Sequence, residues 1–409
     1  MRRVAVTGMA GISPLGTDWP AVERQLRARQ NAVRYMPDWD VYQGLLTRLA
    51  APAAAFELPP ARYTRKATRS MGRVSLLACR ASEVALADAG LLDDPLLRGG
   101  RVGVAYGSST GSTRAVRDFA GMLEYKTTAG INATTYIRMM SHTTPVNIAV
   151  FFGLTGRVIT TSSACTSGSQ GIGYAFEAIR HGYATAMVAG GAEELCPTEA
   201  AVFDTLFATS TRNDTPQRTP RPFDAERDGL VLGEGAGALV LEDLEHARAR
   251  GARIYAELVG FGTNCDGTHV TQPSAETMAE AMQLALASAA LPAAAVGYVN
   301  AHGTATQQGD IAESIATHTV FGERMPISSL KSYMGHTLGA CGSLEAWMTI
   351  EMMRAGWFAP TINLERTDPD CAPLDYLTGD GRAFETEYVM SNNFAFGGIN
   401  TSLIFRRQG

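Results

Sequence analysis

Cys165 stands in a segment whose residue types favour a nucleophilic cysteine. A short apolar run at residues 158–161 precedes the small residues SSACTSGSQG, and apolar residues at helical spacing follow from Ile172 to Ile179. This pattern predicts a strand, a tight turn that holds Cys165, and a helix. The free N–H groups and partial positive charge of a helix start favour a thiolate over a thiol. We therefore interpret Cys165 as a covalent nucleophile, with a buried cysteine in a glycine-rich turn as the alternative.

Two histidines follow predicted strands in the second half of the chain. His302 lies in NAHGTATQQGD after the apolar run 296–301, and His336 lies in KSYMGHTLGACG after the run 326–330. Histidine donates or accepts protons near neutral pH. A lone histidine is more often a packing residue, but these two and Cys165 hold equivalent places at strand ends. Because catalytic loops of such sheets lie at strand ends, we expect the three side chains to share one site.

The segment SNNFAFGGIN at residues 391–400 is a predicted glycine-rich loop that carries Phe394 and Phe396. Backbone N–H groups in such a loop can point at an oxygen on which negative charge develops. The alternative is a plain structural turn. The segment is therefore a candidate oxyanion hole.

Strands and helices alternate along the chain, which predicts an α/β fold with largely parallel central strands. The predicted strands cover residues 3–8, 101–107, 158–161 and 186–191, and then 254–262, 296–301, 326–330, 388–391 and 402–406. A helix is predicted near 341–354. The second series repeats the order of the first, which indicates an internal duplication. The predicted halves are residues 1–250, with the cysteine, and 251–409, with the two histidines.

Composition excludes several classes of function. The 409 residues are 45% hydrophobic and carry a formal net charge of −5, which disfavours a nucleic-acid-binding protein. No apolar run approaches the roughly 20 residues that cross a bilayer, so we expect a soluble, cytoplasmic protein. The 6 cysteines are scattered, without CxxC or zinc-ligand spacing. We therefore expect reduced thiols and no metal.

Six motifs occur together and in order: SACTSG, STRNDTPQ, RPFDAERDGLVLGEGAG, YVNAHGTAT, LKSYMGHTLGACG and NNFAFGGIN. Over essentially its whole length the chain resembles the β-ketoacyl-acyl carrier protein synthases I and II of the thiolase-like superfamily. The resemblance implies two duplicated halves in a five-layered αβαβα core. It also implies a decarboxylative condensation of malonyl-carrier protein with a cysteine-bound acyl chain, without cofactor or metal. The implied assembly is a homodimer that binds acyl carrier protein, and a heterodimer with a synthase-like subunit stays open.

The resemblance also implies roles for individual residues. The catalytic set comprises Cys165 as nucleophile, His302 and His336 as the decarboxylation pair, Lys331 and Glu345 as a buried ion pair, Asp310 as a supporting acid and Phe396 as the gate. The N–H groups of Phe396 and Cys165 would form the oxyanion hole. The substrate contacts are Thr304 and Thr306 on the phosphopantetheine arm, with Phe394 and Thr110 beside the acyl chain. Lys66, Arg69 and Arg212 fall where the family docks its acidic carrier protein.

Three positions depart from the family pattern. Ala395 stands between two phenylalanines where glycine is usual, and Ile399 replaces a hydroxyl residue before Asn400. Thr110 stands where the housekeeping type II enzyme has a bulky aliphatic residue beside the acyl pocket. A less apolar wall favours a flatter, conjugated or aromatic acyl chain. The pattern resembles the branch found in aryl-polyene pigment clusters, with a housekeeping fatty-acid elongation enzyme as the alternative.

Other thiolase-like and cysteine-dependent functions fit the residues less well. A thiolase needs a late second cysteine in a CxG setting, whereas Cys341 follows His336 closely. Type III synthases use a His/Asn pair, and here two histidines stand instead. A silent chain-length-factor subunit requires loss of the nucleophile, and Cys165 is present. A cysteine hydrolase explains neither the threonine pair nor the gate.

Overall fold

The computed structural model describes residues 1–408. Its strands are β1 (Val4–Ile12), β2 (Arg34–Tyr35), β3 (Leu49–Ala51), β4 (Val102–Gly107), β5 (Val158–Thr160), β6 (Ala186–Glu193), β7 (Leu232–Gly233), β8 (Gly235–Asp243), β9 (Ala256–Cys265), β10 (Val296–Asn300), β11 (Pro326–Ser328), β12 (Trp357–Phe358), β13 (Asp375–Tyr376), β14 (Arg382–Ala383), β15 (Tyr388–Ala395) and β16 (Ile399–Arg407). Its helices are α1 (Trp19–Arg27), α2 (Arg65–Thr68), α3 (Arg73–Asp88), α4 (Thr113–Tyr125), α5 (Ala133–Met139), α6 (Thr143–Phe152), α7 (Ser167–Arg180), α8 (Pro197–Asp204), α9 (Leu244–Ala249), α10 (Ala275–Ala289), α11 (Gln307–Phe321), α12 (Lys331–Met334) and α13 (Cys341–Ala355).

The main sheet shows the predicted duplication. Its order is β13-β11-β10-β15-β16-β9-β1-β8-β6-β4-β5. The second half has one additional strand, β13, at its outer edge. If β13 is set aside and the five remaining strands of each half are numbered along the chain, both halves read third, second, fourth, fifth, first from the outer side inward. The halves meet where β1 pairs with β9 in antiparallel fashion, with Val4 opposite Leu258 and Val6 opposite Ala256.

The directions of the strands match the prediction only in part. The strands that precede the chemical motifs are parallel, since β4 pairs in parallel with β5 and β6, and β10 with β11 and β15. The strands β1, β8, β9 and β16 are antiparallel to their neighbours. Both β1 and β8 are buried along their whole length, so they lack the polar alternation by which an antiparallel strand is usually recognised in a sequence.

Helices lie on both sides of each half-sheet and between the two halves. The core that contains Leu77 of α3 and Phe152 of α6 covers the outer face of the first half. The core that contains Met282 of α10 and Ala316 of α11 covers the outer face of the second half. A third core places α7 and α13 between the two half-sheets. The result is the five-layered αβαβα order that the resemblance implies.

Small residues let the central helix α7 pack closely on both half-sheets. A Cβ on Gly171 would lie 2.7 Å from the carbonyl oxygen of Ala105, and one on Gly173 would lie 2.3 Å from the ring of Phe261. The start of α7, which directly follows the turn that carries Cys165, is therefore fixed from two sides. Within residues 1–408, no helix combines the length and apolar character needed to cross a membrane.

Candidate active site

Cys165 lies in a single 3₁₀ turn, Ala164–Thr166, that leads directly into α7. Its side chain is buried, and its Sγ lies 2.9 Å from Nε2 of His336. The Cys341 thiol donates to the carbonyl oxygen of Cys165 at 3.2 Å. The predicted strand, turn and helix are present, and the structure brings the thiol into contact with a histidine.

The electrostatics of Cys165 differ from the sequence-based expectation. Burial raises the pKa of the thiol to about 12, although the charge of Lys331 and the N–H groups of Phe396 and Cys165 itself oppose the rise. The helix start therefore does not suffice to favour a thiolate, because the side chain is desolvated. A protonated thiol beside His336 is the resting arrangement.

His302 follows β10 and is held by two buried groups. Its backbone N–H donates to Oε1 of Glu313 at 2.7 Å, and its Nδ1 lies 3.2 Å from Nζ of Lys331. Because an ammonium group only donates, Nδ1 is the acceptor and the ring proton lies on Nε2. The rings of His302 and His336 are edge to face, with their centroids 5.1 Å apart. Burial, reinforced by the charge of Lys331, holds the pKa of both imidazoles well below 6.5.

Lys331 and Glu345 form a buried ion pair behind the histidines. Nζ of Lys331 lies 2.5 Å from Oε1 of Glu345, whose Oε2 accepts from the Asn393 amide at 2.7 Å. Burial alone would lower the pKa of Lys331, but the carboxylate outweighs it and the pKa is raised. The positively charged ammonium group of Lys331 is therefore held beside the ring of His302.

Two acids on α11 organise the backbone around His302. Asp310 accepts from the N–H groups of Phe223 at 2.7 Å and Ala305 at 3.1 Å. Glu313 accepts from His302 N–H and from Gly303 N–H, both at 2.7 Å, and burial raises the pKa of Glu313 to about 8. Asp310 was among the residues predicted from the sequence, whereas Glu313 was not. Their i, i+3 spacing on one helix face was the available signal.

A cavity of about 480 Å³ leads from the surface to the cysteine. Its walls include Cys165, His302, His336, Thr304, Thr306, Phe203, Phe394 and Phe396. The hydroxyls of Thr304 and Thr306 lie 2.9 Å apart, and the ring of Phe396 packs on Phe203 with centroids 5.1 Å apart. The structure thus gathers the predicted catalytic residues, the threonine pair and both phenylalanines at one site.

The glycine-rich segment is more regular than predicted. β15 continues through it and pairs with β16 as far as Ala395, opposite Ile399. Only residues 396–398 turn, and the positive φ angles fall on Gly397 and Gly398, at 87° and 72°. Ala395 therefore sits in a strand conformation that its methyl group accepts. The prediction of a loop over residues 391–400 was wrong for most of the segment.

The single chain does not place Thr110 in the wall of the Cys165 cavity. Thr110 is exposed, and its hydroxyl donates to the Gly111 carbonyl at 2.9 Å, so it has the partner that the sequence analysis did not foresee. The preceding residue, Ser109, donates its N–H to Glu193 at 2.8 Å. The loop is therefore anchored beside the active site, although the Thr110 side chain faces outward.

The three predicted docking cations are not equivalent. Lys66 in α2 and Arg69 directly after it are exposed, and within residues 1–408 neither forms an ion pair. Arg212 is half-buried and pairs with Asp228 at 3.4 Å, at the rim of the cavity. Lys66 and Arg69 are thus free for an acidic partner, whereas Arg212 is already engaged.

Comparison with known proteins identifies the family. The family model "Beta-ketoacyl synthase, N-terminal domain" matches residues 1–247, and the corresponding C-terminal domain matches residues 255–365. The chain belongs to the β-ketoacyl synthase family. The 3-oxoacyl-[acyl-carrier-protein] synthase 2 of Vibrio cholerae is 39% identical to it over 99% of both chains. This β-ketoacyl synthase is a condensing acyltransferase.

Two solved structures extend the comparison. A β-ketoacyl synthase from Burkholderia phymatum is 63% identical, with a TM-score of 0.99 over 100% of both chains. A type II polyketide ketosynthase solved in complex with its acyl-carrier protein is 32% identical, with a TM-score of 0.86 over 100% of both chains. The architecture of this synthase is the α/β thiolase-like fold with N- and C-terminal halves.

Proposed function

We propose that this synthase condenses malonyl-acyl carrier protein with an acyl chain carried on Cys165, with loss of carbon dioxide. The observation that carries the proposal is the 2.9 Å contact between Cys165 Sγ and His336 Nε2, with the His302 ring beside it at the end of the cavity. Purified protein supplied with acyl- and malonyl-carrier protein should release carbon dioxide and a chain extended by one malonyl-derived unit. Absence of an extended product from every acyl donor would contradict the proposal.

The first half-reaction loads the enzyme. Cys165 Sγ attacks the thioester carbonyl of the acyl-carrier protein, and the carbon–sulfur bond to the phosphopantetheine arm breaks. The Cys165 proton moves to the departing thiolate, which leaves as a thiol, because desolvation makes a free thiolate costly, and His336 Nε2 beside Sγ orients this transfer. The N–H groups of Cys165 and Phe396, which already face the sulfur, stabilise the oxyanion.

The second half-reaction makes the new carbon–carbon bond. Malonyl-carrier protein takes the emptied cavity, with its phosphopantetheine arm near Thr304 and Thr306. The bond to the carboxylate breaks, carbon dioxide leaves, and the electron pair becomes an enolate whose oxygen accepts from His302 Nε2–H and His336. The enolate carbon then attacks the acyl-Cys165 thioester, the bond between the acyl carbon and Sγ breaks, and a proton taken up from water restores the thiol.

The remaining residues hold this machinery in position. Glu345 holds the Lys331 ammonium group, which donates a hydrogen bond to Nδ1 of His302. The ring proton of His302 therefore stays on Nε2. Asp310 and Glu313 fix the backbone turn that presents His302. Phe396 closes the cavity against Phe203 and must move when a long acyl chain enters.

We propose an acyl chain of the aryl-polyene or a related fatty-acid or polyketide type. The supporting observations are the residue types at Thr110 and Ala395, which depart from the housekeeping pattern, and the resemblance to the pigment branch. Thr110 lies outside the Cys165 cavity in the single chain, so its part in the pocket wall belongs to the assembled enzyme proposed below. A saturated chain gains roughly 0.8 kcal/mol per methylene in a well-packed apolar pocket, and polar walls reduce that gain. A rigid conjugated chain loses less rotamer entropy on binding.

Competition between matched saturated and polyenoyl carrier-protein substrates tests this choice. We expect the polyenoyl chain to have the higher specificity constant, and we expect Thr110→Ile to shift the ratio toward saturated or shorter chains. A higher constant for the saturated chain would leave the condensing activity intact and favour housekeeping elongation. An unchanged ratio in the Thr110→Ile variant would show that Thr110 does not line the acyl pocket.

A second copy of the chain is proposed to complete the enzyme. β5 is the outer strand of the main sheet and pairs only with β4, and its Val158 is exposed. An unpaired strand edge with apolar residues is a surface for pairing with another chain. Because Ser162, just after β5, contacts Ser109, such a partner would also approach Thr110. The molar mass in solution, measured by light scattering, decides between this homodimer and a monomer. A heterodimer with a synthase-like subunit would use the same strand edge.

Charge reversal tests the docking of carrier protein. The double variant Lys66→Glu/Arg69→Glu should raise the apparent KM for carrier-bound substrate several-fold, because both cations are exposed and form no ion pair with any described residue. The KM for a small acyl thioester should not change. Arg324→Glu, another exposed arginine, is the matched control. Equal losses on both substrates would indicate misfolding and count against a docking role.

A further inference from the structure

The mouth of the Cys165 cavity carries three large apolar side chains that are open to solvent. Phe207 is 83% exposed, Val270 is 68% exposed and Leu206 is 46% exposed, and all three line the cavity. We call Leu206, Phe207 and Val270 the mouth patch. Single exposed apolar residues are ordinary on a protein surface, whereas a group of them around the entrance of a cavity is typical of a binding surface.

The mouth patch is connected to the gate from two sides. On one side, Leu206 donates its N–H to the carbonyl oxygen of Phe203 at 3.1 Å, and the ring of Phe203 packs on the gate residue Phe396. On the other side, Gly397, which follows the gate residue, donates its N–H to the carbonyl oxygen of Val270 at 2.8 Å. The patch therefore borders the entrance that Phe396 closes.

The backbone at Phe207 does not explain why a phenylalanine stands there. Its φ angle is 53°, in the left-handed region that a bulky residue adopts at a cost in free energy. The turn is held because Phe207 donates its N–H to the carbonyl oxygen of Asp204 at 2.9 Å, and Ala208 donates to that of Phe203 at 3.0 Å. A glycine would take this conformation without strain. The exposed ring is therefore explained best by a contact with another molecule.

The two arginines at the mouth are already paired within the chain. Arg227 lies 2.5 Å from Asp368, and Arg212 lies 3.4 Å from Asp228. Because their charges are neutralised by neighbours, a partner that sits on the mouth gains affinity there from apolar contact. Protein interfaces commonly combine such an apolar centre, often with an aromatic side chain, and a charged periphery.

We propose that the mouth patch is an apolar anchor for the carrier protein, with Phe207 as its main contact. The inference rests on the condensing activity proposed above. Both substrates arrive as thioesters on the phosphopantetheine arm, and the arm reaches Cys165 through the cavity, so the body of the carrier protein lies against the mouth. The surface that fits is acidic, to meet Lys66 and Arg69, and presents an apolar side chain beside the attachment point of the arm.

The test compares one acyl group on carrier protein and on free pantetheine. Phe207→Ser should raise the apparent KM for the carrier-bound substrate about 10-fold and change that for the acyl pantetheine less than 2-fold. Phe207→Gly, which relieves the backbone strain, should show the same loss, and Phe207→Leu should restore most of the affinity. The loss should persist at high salt, unlike that of Lys66→Glu/Arg69→Glu, because salt screens charges and not apolar contacts. Tyr183→Ser, an exposed aromatic residue beyond the far end of α7 and about 20 Å from Cys165, is the matched control.

The outcomes separate this inference from the proposed function. Native KM values for carrier-bound substrate in folded Phe207→Ser and Phe207→Gly enzymes overturn the anchor while condensation stands. Equal losses on acyl pantetheine overturn it as well, because Phe207 would then act on the acyl group or the arm. A change of molar mass in Phe207→Ser, by light scattering, would assign the mouth patch to a second copy of the chain instead. If the native protein forms no acyl adduct on Cys165, by intact mass, then the condensing proposal itself has failed.

Discussion

Cys165→Ala is expected to abolish both the acyl-enzyme and the condensed product. The variant removes the thiol that lies 2.9 Å from His336, and Cys165 is the one cysteine among the residues described as lining the cavity. Cys165→Gln should also lose condensation but keep malonyl decarboxylation, because bond cleavage in malonyl uses the two histidines. Intact-protein mass spectrometry follows acylation, and carbon dioxide release follows decarboxylation.

A control variant shows whether a loss of activity comes from the missing thiol or from a loss of the fold. Cys79→Ala changes a buried cysteine in α3, in a different core, and should acylate like the native protein. An acyl adduct on a cysteine other than Cys165 after loading would contradict the assignment. So would condensation at a measurable rate by Cys165→Ala.

His302→Ala and His336→Ala are each expected to lower malonyl decarboxylation on the order of 100- to 1000-fold, the usual effect of removing one oxyanion donor. His302 offers an Nε2 proton that Lys331 holds in place, and His336 offers Nε2 beside Cys165. His336→Ala should also slow acylation, because His336 contacts the thiol. His302→Ala should affect acylation less. Single-turnover measurements of acylation and of carbon dioxide release separate the two roles.

The pH dependence follows from the same contacts. Burial, with Lys331, depresses the pKa of both imidazoles, so both are neutral at neutral pH. Decarboxylation should therefore stay level as the pH falls through 6.5, and it should drop only at more acidic pH, when the rings are protonated. For the two alanine variants described above, near-normal carbon dioxide release from either His302→Ala or His336→Ala would contradict the proposed mechanism.

The central part of the site could be predicted from the sequence because its residues lie at strand ends. Cys165, His302 and His336 each follow an apolar run, and parallel strands bring such ends to one edge of a sheet. Glu313 was missed because it acts on backbone N–H groups and resembles any glutamate of an amphipathic helix. Its role depends on where the turn at His302 lies in space.

Burial explains the other differences between prediction and structure. The residue pattern around Cys165 indicated a helix start, but it could not show the desolvation that raises the pKa of the thiol. The glycines of residues 391–400 suggested a loop, whereas cross-strand hydrogen bonds extend β15 to Ala395. Thr110 is exposed in the single chain. Its predicted position beside the acyl chain therefore applies to the assembled enzyme, in which a partner covers this surface.

The most direct test of the account is a loading and chase experiment on the native protein. Acyl-carrier protein is added first, the adduct is mapped by peptide mass spectrometry, and malonyl-carrier protein follows. We predict a stoichiometric adduct on Cys165 that disappears as carbon dioxide and the extended β-ketoacyl-carrier protein form together. An adduct elsewhere, or an acyl-Cys165 species that malonyl-carrier protein leaves unchanged, would contradict it.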